Sequence, residues 1–272
     1  MFSSFMLNSW IVASLVAIVA GVTGLFVVIR ANTFAAHALP LGTFPGAAGA
    51  ALIGVNELWG LIVFAALGVL GISQLSRHQR NDVATALTLI TLLGLGTLFL
   101  SLSSEYSQGV YALLFGEVLG VSRSEIAPVA LLSAAAIGLT ILLFRPLLLS
   151  SVSEDLGAAR GVSNARIELL FLAVLGLATA MALPVVGALL VFSLMLGPAS
   201  AARLLTDRPL RAMLLSVGIA LATVWAALAL SYTTNWPVGF FVGTLAALSY
   251  GLGRGWAGAR TALSIHKLAR AG

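Results

Sequence analysis

The feature that most limits what this chain can fold into is a series of long apolar runs with very little charge inside them. A helix needs roughly 20 apolar residues to cross the hydrocarbon core of a bilayer. Only 8% of the 272 residues are charged, too few to cover the surface of a soluble protein of this size. The runs fall at residues 10–29, 36–54, 58–75, 83–103, 126–144, 168–184, 186–202, 212–230 and 237–253.

These runs predict an all-α polytopic membrane protein with about nine transmembrane helices. Two places leave eight as an alternative. The second run is short and holds Pro40 and Pro45, and the sixth and seventh runs are separated only by the break at Pro184–Gly187. Proline removes a backbone donor and strains a helix interior. We therefore expect a broken helix in the second run. The runs together are expected to form a single transmembrane domain over residues 1–272.

The basic residues indicate how the spans are oriented. With the N-terminus outside and nine alternating spans, thirteen of the fourteen lysines and arginines fall on the cytoplasmic side, and Arg123 is the exception. This distribution satisfies the positive-inside rule. No lysine or arginine precedes Arg30, so the first run is predicted to be a retained span rather than a secretory signal. The C-terminus is then cytoplasmic.

The predicted outer side carries several carboxylates. One interpretation is that they are ordinary solvated loop residues. The other is that together they form an acidic face that concentrates cations or docks a basic partner. The residues concerned are Glu57, Glu105, Glu117 and Glu125.

The longest predicted cytoplasmic connection, residues 147–166, is too polar to enter the bilayer. Ser153 is a suitable N-cap, and Glu154 and Asp155 follow in the first turn, where the helix dipole favours acids. Gly161 is a suitable C-terminal stop. The pattern predicts a short helix at the membrane surface, which is either a docking site for a cytoplasmic partner or a structural loop.

His37 is the only histidine that lies inside an apolar run. An ionisable side chain within a membrane is costly to bury, so it is a functional-site hypothesis by default. Pro40, Pro45 and two glycines follow it closely, and interrupted helices are where membrane transporters hold their substrates.

Several chemistries are excluded by the sequence. There is no GxxxxGK[ST] nucleotide-binding loop, no HExxH or GxSxG motif and no cysteine. No basic run with interleaved aromatic residues indicates nucleic-acid binding. We expect a membrane protein without a catalytic site of its own. The residues alone leave open a transporter subunit energised by another chain, a self-sufficient secondary carrier of a small metabolite, and a catalytically silent membrane scaffold.

Five segments, in order along the chain, resemble the permease subunits of the ABC transporters that import zinc, manganese or iron(II) (the ABC-3 family). A match of any one segment is weak, but five in order are a strong resemblance. The segments are GLFVVIRANTFAAHALPLGTFPGAAGAALIG near the N-terminus, LLFGEVLGVS at 113–122, SEDLGAARGVS at 153–163, VVGALLVFSLMLGPASAARLL at 185–205 and LSYTTNWPVG at 230–239.

The resemblance implies a permease with the cobalamin-importer (type II) fold in a prokaryotic plasma membrane. It implies a permease dimer, a cytoplasmic ABC ATPase dimer that binds ATP, and an extracytoplasmic protein that delivers the metal. No permanently bound cofactor is expected, and zinc or manganese is the expected cargo. The resemblance also makes the 147–166 loop the coupling helix for the ATPase, with docking residues Glu154, Asp155, Ala159, Arg160 and Gly161.

The chain departs from the family pattern at the histidine. Members of the family carry an acid and a histidine four residues apart, a spacing that places both on one helix face. In an ungapped alignment, His37 takes the acid position and Leu41 takes the histidine position. His37 is therefore a lone transient ligand paired with its copy across a dimer axis, a structural histidine that bridges the backbone near Pro40, or the mark of a substrate other than a bare cation.

Overall fold

A computed structural model describes residues 4–77, 80–102, 120–152, 161 and 163–269. These residues form ten α-helices and no β-strand. Numbered in chain order, the helices are α1 (Ser4–Ile29), α2 (Thr33–Leu52), α3 (Glu57–Leu75), α4 (Asn81–Leu102), α5 (Arg123–Leu142), α6 (Phe144–Val152), α7 (Asn164–Val186), α8 (Ala188–Leu205), α9 (Pro209–Thr234) and α10 (Val238–Ala269).

The all-helical prediction is confirmed over the described residues, and each of the nine apolar runs lies in a different helix. Among the described residues, six helices (α1, α3, α4, α5, α7 and α9) are long and apolar enough to cross a membrane, and Leu190–Leu205 of α8 is a shorter apolar segment. The number of spans therefore remains a prediction.

Helices α1 and α7 lie at the centre of the bundle. Their most apolar windows are each 72% buried, whereas that of α5 is only 22% buried. The central helices supply most of the fully buried large side chains, including Phe26 and Phe171. Helices α3, α4 and α5 turn apolar faces outward, as expected for helices that meet lipid acyl chains.

The expectation of a broken helix in the second run is wrong, because α2 continues through Pro40 and Pro45. Both prolines are buried, and Pro45 packs against Gly96 of α4, where a Cβ would lie only 2.7 Å from the proline Cγ. A backbone group freed by proline is tolerated where neighbouring helices cover it. Tight packing on α3 and α4 thus keeps α2 helical.

The expected break between the sixth and seventh runs is confirmed and lies at Gly187. Its φ of 80° and ψ of 158° belong to a region that is essentially restricted to glycine. The residue ends α7 and begins α8, so one glycine sets the angle between two core helices.

Replacing Gly187 with alanine is expected to destabilise the protein by about 2 kcal/mol, because the Cβ strains this backbone conformation. Thermal unfolding of the detergent-purified protein, followed by tryptophan fluorescence, measures the effect. Gly218→Ala in α9 is the matched control, because an added Cβ there has no described atom within 4 Å. Equal melting temperatures for the two variants would contradict the prediction.

The observed connection begins later than the predicted 147–166 loop, because its first residues are helical. Helix α6 covers residues 144–152, and Leu147 is completely buried in the main core. This segment packs on α7 because its apolar side chains meet the bundle while Ser150 and Ser151 face backbone and polar groups. The connection that remains between α6 and α7 runs from residue 153 to residue 163.

Candidate functional site

His37 lies one turn into α2, partly buried, with its ring against Phe192 of α8. The ring centroids are 4.8 Å apart in an edge-to-face arrangement. The Nδ1 atom is buried and has no hydrogen-bond partner among the described residues. A buried imidazole nitrogen without a partner is unusual, since buried polar atoms are nearly always satisfied. His37 therefore has an unpaired buried nitrogen at the α2–α8 contact.

Leu41, one turn further along α2, belongs to an apolar cluster instead. It packs with Phe44, Leu61 and Leu183, on the contact between α2, α3 and α7. No group of three or more histidine, cysteine, aspartate or glutamate side chains that could hold a metal occurs within the described ranges. Within the described residues, His37 therefore does not belong to a cluster of three or more such ligands.

A polar network joins three segments at the C-terminal end of α1. Arg30 Nη2 donates to Glu168 Oε2 at 2.6 Å, and Arg30 Nη1 donates to Ser150 Oγ at 2.6 Å and, more weakly, to the Leu147 carbonyl at 3.5 Å. Asn32 Nδ2 donates to the other carboxylate oxygen, Glu168 Oε1, at 2.7 Å. Both carboxylate oxygens and both terminal guanidinium nitrogens are thus engaged.

The network is largely removed from solvent. The side chains of Arg30 and Glu168 are 10% and 25% exposed, and the guanidinium carbon lies 5.6 Å from the centre of the Phe171 ring. Arg30 Nε is buried and has no partner among the described residues. We name this group, Arg30, Asn32, Ser150 and Glu168, the Arg30 network.

The turn between α1 and α2 is part of this arrangement. Ala31 adopts a left-handed conformation with φ of 56°, and Asn32 N donates to the Val27 carbonyl while Ala31 N donates to that of Val28. This is a Schellman cap, in which glycine is the usual left-handed residue. Alanine pays a steric cost there of about 1 kcal/mol. The neighbouring contacts of Arg30 and Asn32 hold the strained turn.

Of the predicted outer residues Glu57, Glu105 and Glu117, the structure describes Glu57. Glu57 is exposed in the first turn of α3, after the N-cap Asn56, whose side chain accepts a hydrogen bond from Leu58 N. Glu105 and Glu117 lie outside the described residues. The acidic outer face therefore remains a prediction.

The predicted coupling residues Glu154, Asp155, Ala159 and Arg160 also lie outside the described residues. Gly161 is described, is exposed and has a φ of 75°, the left-handed conformation expected of a helix-stop glycine. Its role in coupling stays a prediction.

Sequence reasoning missed the Arg30 network and Phe192. Arg30 and Glu168 are 138 residues apart, and nothing local pairs them. A signal was nevertheless present: Arg30 closes one apolar run, Glu168 opens another, and the predicted topology places both on the cytoplasmic side. No comparable signal distinguished Phe192 from the other phenylalanines.

The chain is similar to known proteins over most of its length. The family model described as "ABC 3 transport family" matches residues 2–252. The manganese import system permease protein ScaB of Streptococcus parasanguinis is 28% identical over 237 residues, covering 86% of this chain and 84% of the relative. The manganese transport system membrane protein MntC of Listeria monocytogenes is 28% identical over 261 residues, covering 92% and 93%.

A solved structure is also similar. The structure of PsaBC from Streptococcus pneumoniae in complex with Fab contains a chain that matches with a TM-score of 0.83 and 26% identity, covering 92% of this chain and 91% of that one. The fold is thus that of an ABC transporter permease. These matches also decide against the self-sufficient secondary carrier. Because the family model spans nearly the whole sequence, this chain is a multi-pass membrane protein that belongs to the ABC 3 transport family.

Proposed function

We propose that this chain is the membrane-spanning subunit of an ABC importer for a divalent transition metal, zinc or manganese, driven by ATP hydrolysis on a separate subunit. The observation that carries the proposal is the family match over residues 2–252, with relatives named as manganese import permeases. The lack of a nucleotide-binding motif in the sequence is consistent with this division of labour.

The partners follow from the same proposal. Two copies of the permease, with a type II fold, form the pathway, two ATPase subunits dock on the segment between α6 and α7, and an extracytoplasmic protein delivers the cation to the outer face around Glu57, Glu105 and Glu117. The N-terminus lies outside and the C-terminus in the cytoplasm of a prokaryotic plasma membrane, as the distribution of basic residues favours.

Within this pathway, His37 is the proposed transient ligand. Its unpartnered Nδ1 is what a ligand position requires, and a neutral imidazole binds zinc readily. In the proposed permease dimer, the second imidazole is the His37 side chain of the other copy. A weak, two-ligand site suits a transporter, which must release the ion it binds.

The proposal predicts metal-stimulated ATP hydrolysis by the reconstituted complex. The chain is co-expressed with a candidate ABC ATPase subunit, purified and reconstituted with the metal-loaded binding protein. Phosphate release is measured with zinc, manganese and iron(II) in parallel. We expect at least one of these cations to raise the rate several-fold above that with the metal-free binding protein.

Magnesium alone, which supports ATP binding but is not a cargo, is the control. Failure of any ATPase to co-purify, or equal hydrolysis with and without the transition metals, would contradict the proposed function. Uptake that proceeds without the ATPase in vesicles with a proton or sodium gradient would do the same.

A further inference from the structure

The Arg30 network spans the two ends of the connection that is proposed to dock the ATPase. Ser150 lies three residues before residue 153, where that connection begins, and Glu168 lies in the second turn of α7, which follows it. Arg30 bonds to both. One guanidinium group thus holds both of the helices that flank the connection.

The same network reaches the helix that carries His37. Asn32 is the residue immediately before α2, and its side chain donates to Glu168 at 2.7 Å. Between Arg30 and Asn32 lies the strained left-handed Ala31, so the turn has one well-defined shape. Displacement of Glu168 is thus transmitted to the first turn of α2, and His37 lies only four residues after Thr33, where that helix begins.

Fold stability alone does not explain why the Arg30–Glu168 ion pair is placed here. A mostly buried ion pair recovers little more than its desolvation cost, and apolar side chains of similar volume often stabilise a fold as well. Arg30 Nε remains buried without a described partner, which adds to the cost. What an arginine provides here is a planar fork that can hold two partners on separate segments in one fixed geometry.

We propose that Arg30 and Glu168 are positioning residues that couple the ATPase-docking connection to α2, so that ATP-driven movement of the connection is transmitted to the His37 region. This inference rests on the proposed function. Residues that only stabilise the fold affect transport and ATP hydrolysis together. Coupling residues instead change the amount of metal transported for each ATP hydrolysed.

The test uses the full permease–ATPase complex in proteoliposomes with the metal-loaded binding protein. Zinc uptake, and manganese uptake in parallel, is measured together with phosphate release in the same vesicles. Arg30→Lys keeps the positive charge but replaces the two-pronged fork with a single ammonium. We expect it to retain metal-stimulated hydrolysis and to lower metal transported per ATP by about 10-fold, the effect of a coupling energy in the usual range.

Arg211→Lys, the same exchange at an exposed position in α9, is the matched control and should leave the ratio unchanged. Ser150→Ala and Asn32→Ala each remove one arm of the network and leave the ion pair in place. Each is expected to lower the ratio by a smaller factor, and they decide the matter if Arg30→Lys does not accumulate.

A wild-type ratio in Arg30→Lys, or in both alanine variants when Arg30→Lys fails to fold, overturns the inference while leaving the proposed function intact. A proportional loss of uptake and hydrolysis, with an unchanged ratio, overturns it as well, because it assigns the network a structural role. Absence of metal-stimulated hydrolysis in the wild-type complex overturns the proposed function itself and the inference with it.

Discussion

Replacing Gly46 with alanine is expected to prevent the native packing of α2 on α3 and to cost about 3 kcal/mol of stability. A Cβ at Gly46 would lie 2.1 Å from the carbonyl oxygen of Gly60, and a Cβ at Gly60 would lie 2.0 Å from that of Gly46. Both obstructing atoms belong to backbone, so no side-chain rotation relieves the clash. The two helices must move apart, and the whole contact is lost.

Thermal unfolding of the detergent-purified protein measures this effect, and the melting temperature should fall by roughly 5–10 °C. Gly94→Ala in α4 is the matched control. An added Cβ there has no described atom within 4 Å, so the higher helix propensity of alanine should leave stability equal or slightly raised. If Gly46→Ala melts at the same temperature as Gly94→Ala, the close approach of α2 and α3 is not as described.

Replacing His37 with alanine is expected to lower zinc uptake by at least about 10-fold while the ATPase still co-purifies. A ligand contributes at least as much as the surrounding groups that orient it, whose loss typically costs 10- to 100-fold in metal affinity. The change also removes the ring contact with Phe192, at a stability cost of about 1 kcal/mol. Uptake of radioactive zinc into proteoliposomes measures the first effect.

His37→Phe separates a ligand from a packing residue. Phenylalanine keeps an aromatic ring against Phe192 but has no nitrogen to bind a cation. A ligand role predicts that His37→Phe transports as poorly as His37→Ala. Recovery of uptake in His37→Phe would show that His37 acts by packing, and uptake at the wild-type level in both variants would remove His37 from the pathway altogether.

The bridging interpretation of His37 finds no hydrogen bond to carry it in the described part of the chain. Residues 33–52 form one uninterrupted helix, and the imidazole ring contacts Phe192. All three interpretations stay predictions: a transient ligand, a structural histidine and the mark of a changed substrate. Phosphate release measured in parallel with zinc, manganese and iron(II) tests for a changed substrate, and the comparison of His37→Phe with His37→Ala separates a ligand from a structural residue.

The sequence by itself determined the all-helical class, the approximate positions of the nine apolar helices and the break within Pro184–Gly187. These properties follow from local causes, since each apolar run prefers lipid or protein to water and each helix satisfies its own backbone. The five segments that resemble the ABC-3 family indicated the family, because a motif is a property of the sequence and does not depend on tertiary contacts.

Only the tertiary structure decided how α2 tolerates Pro40 and Pro45, and which distant groups meet. Pro45 is accommodated by packing on Gly96 of α4, and the Arg30–Glu168 pair joins residues 138 positions apart. Neither can be deduced from hydropathy, because the free energy of a close contact depends on the atoms that a neighbouring helix places opposite it. The Arg30 network is therefore a property of the packed bundle.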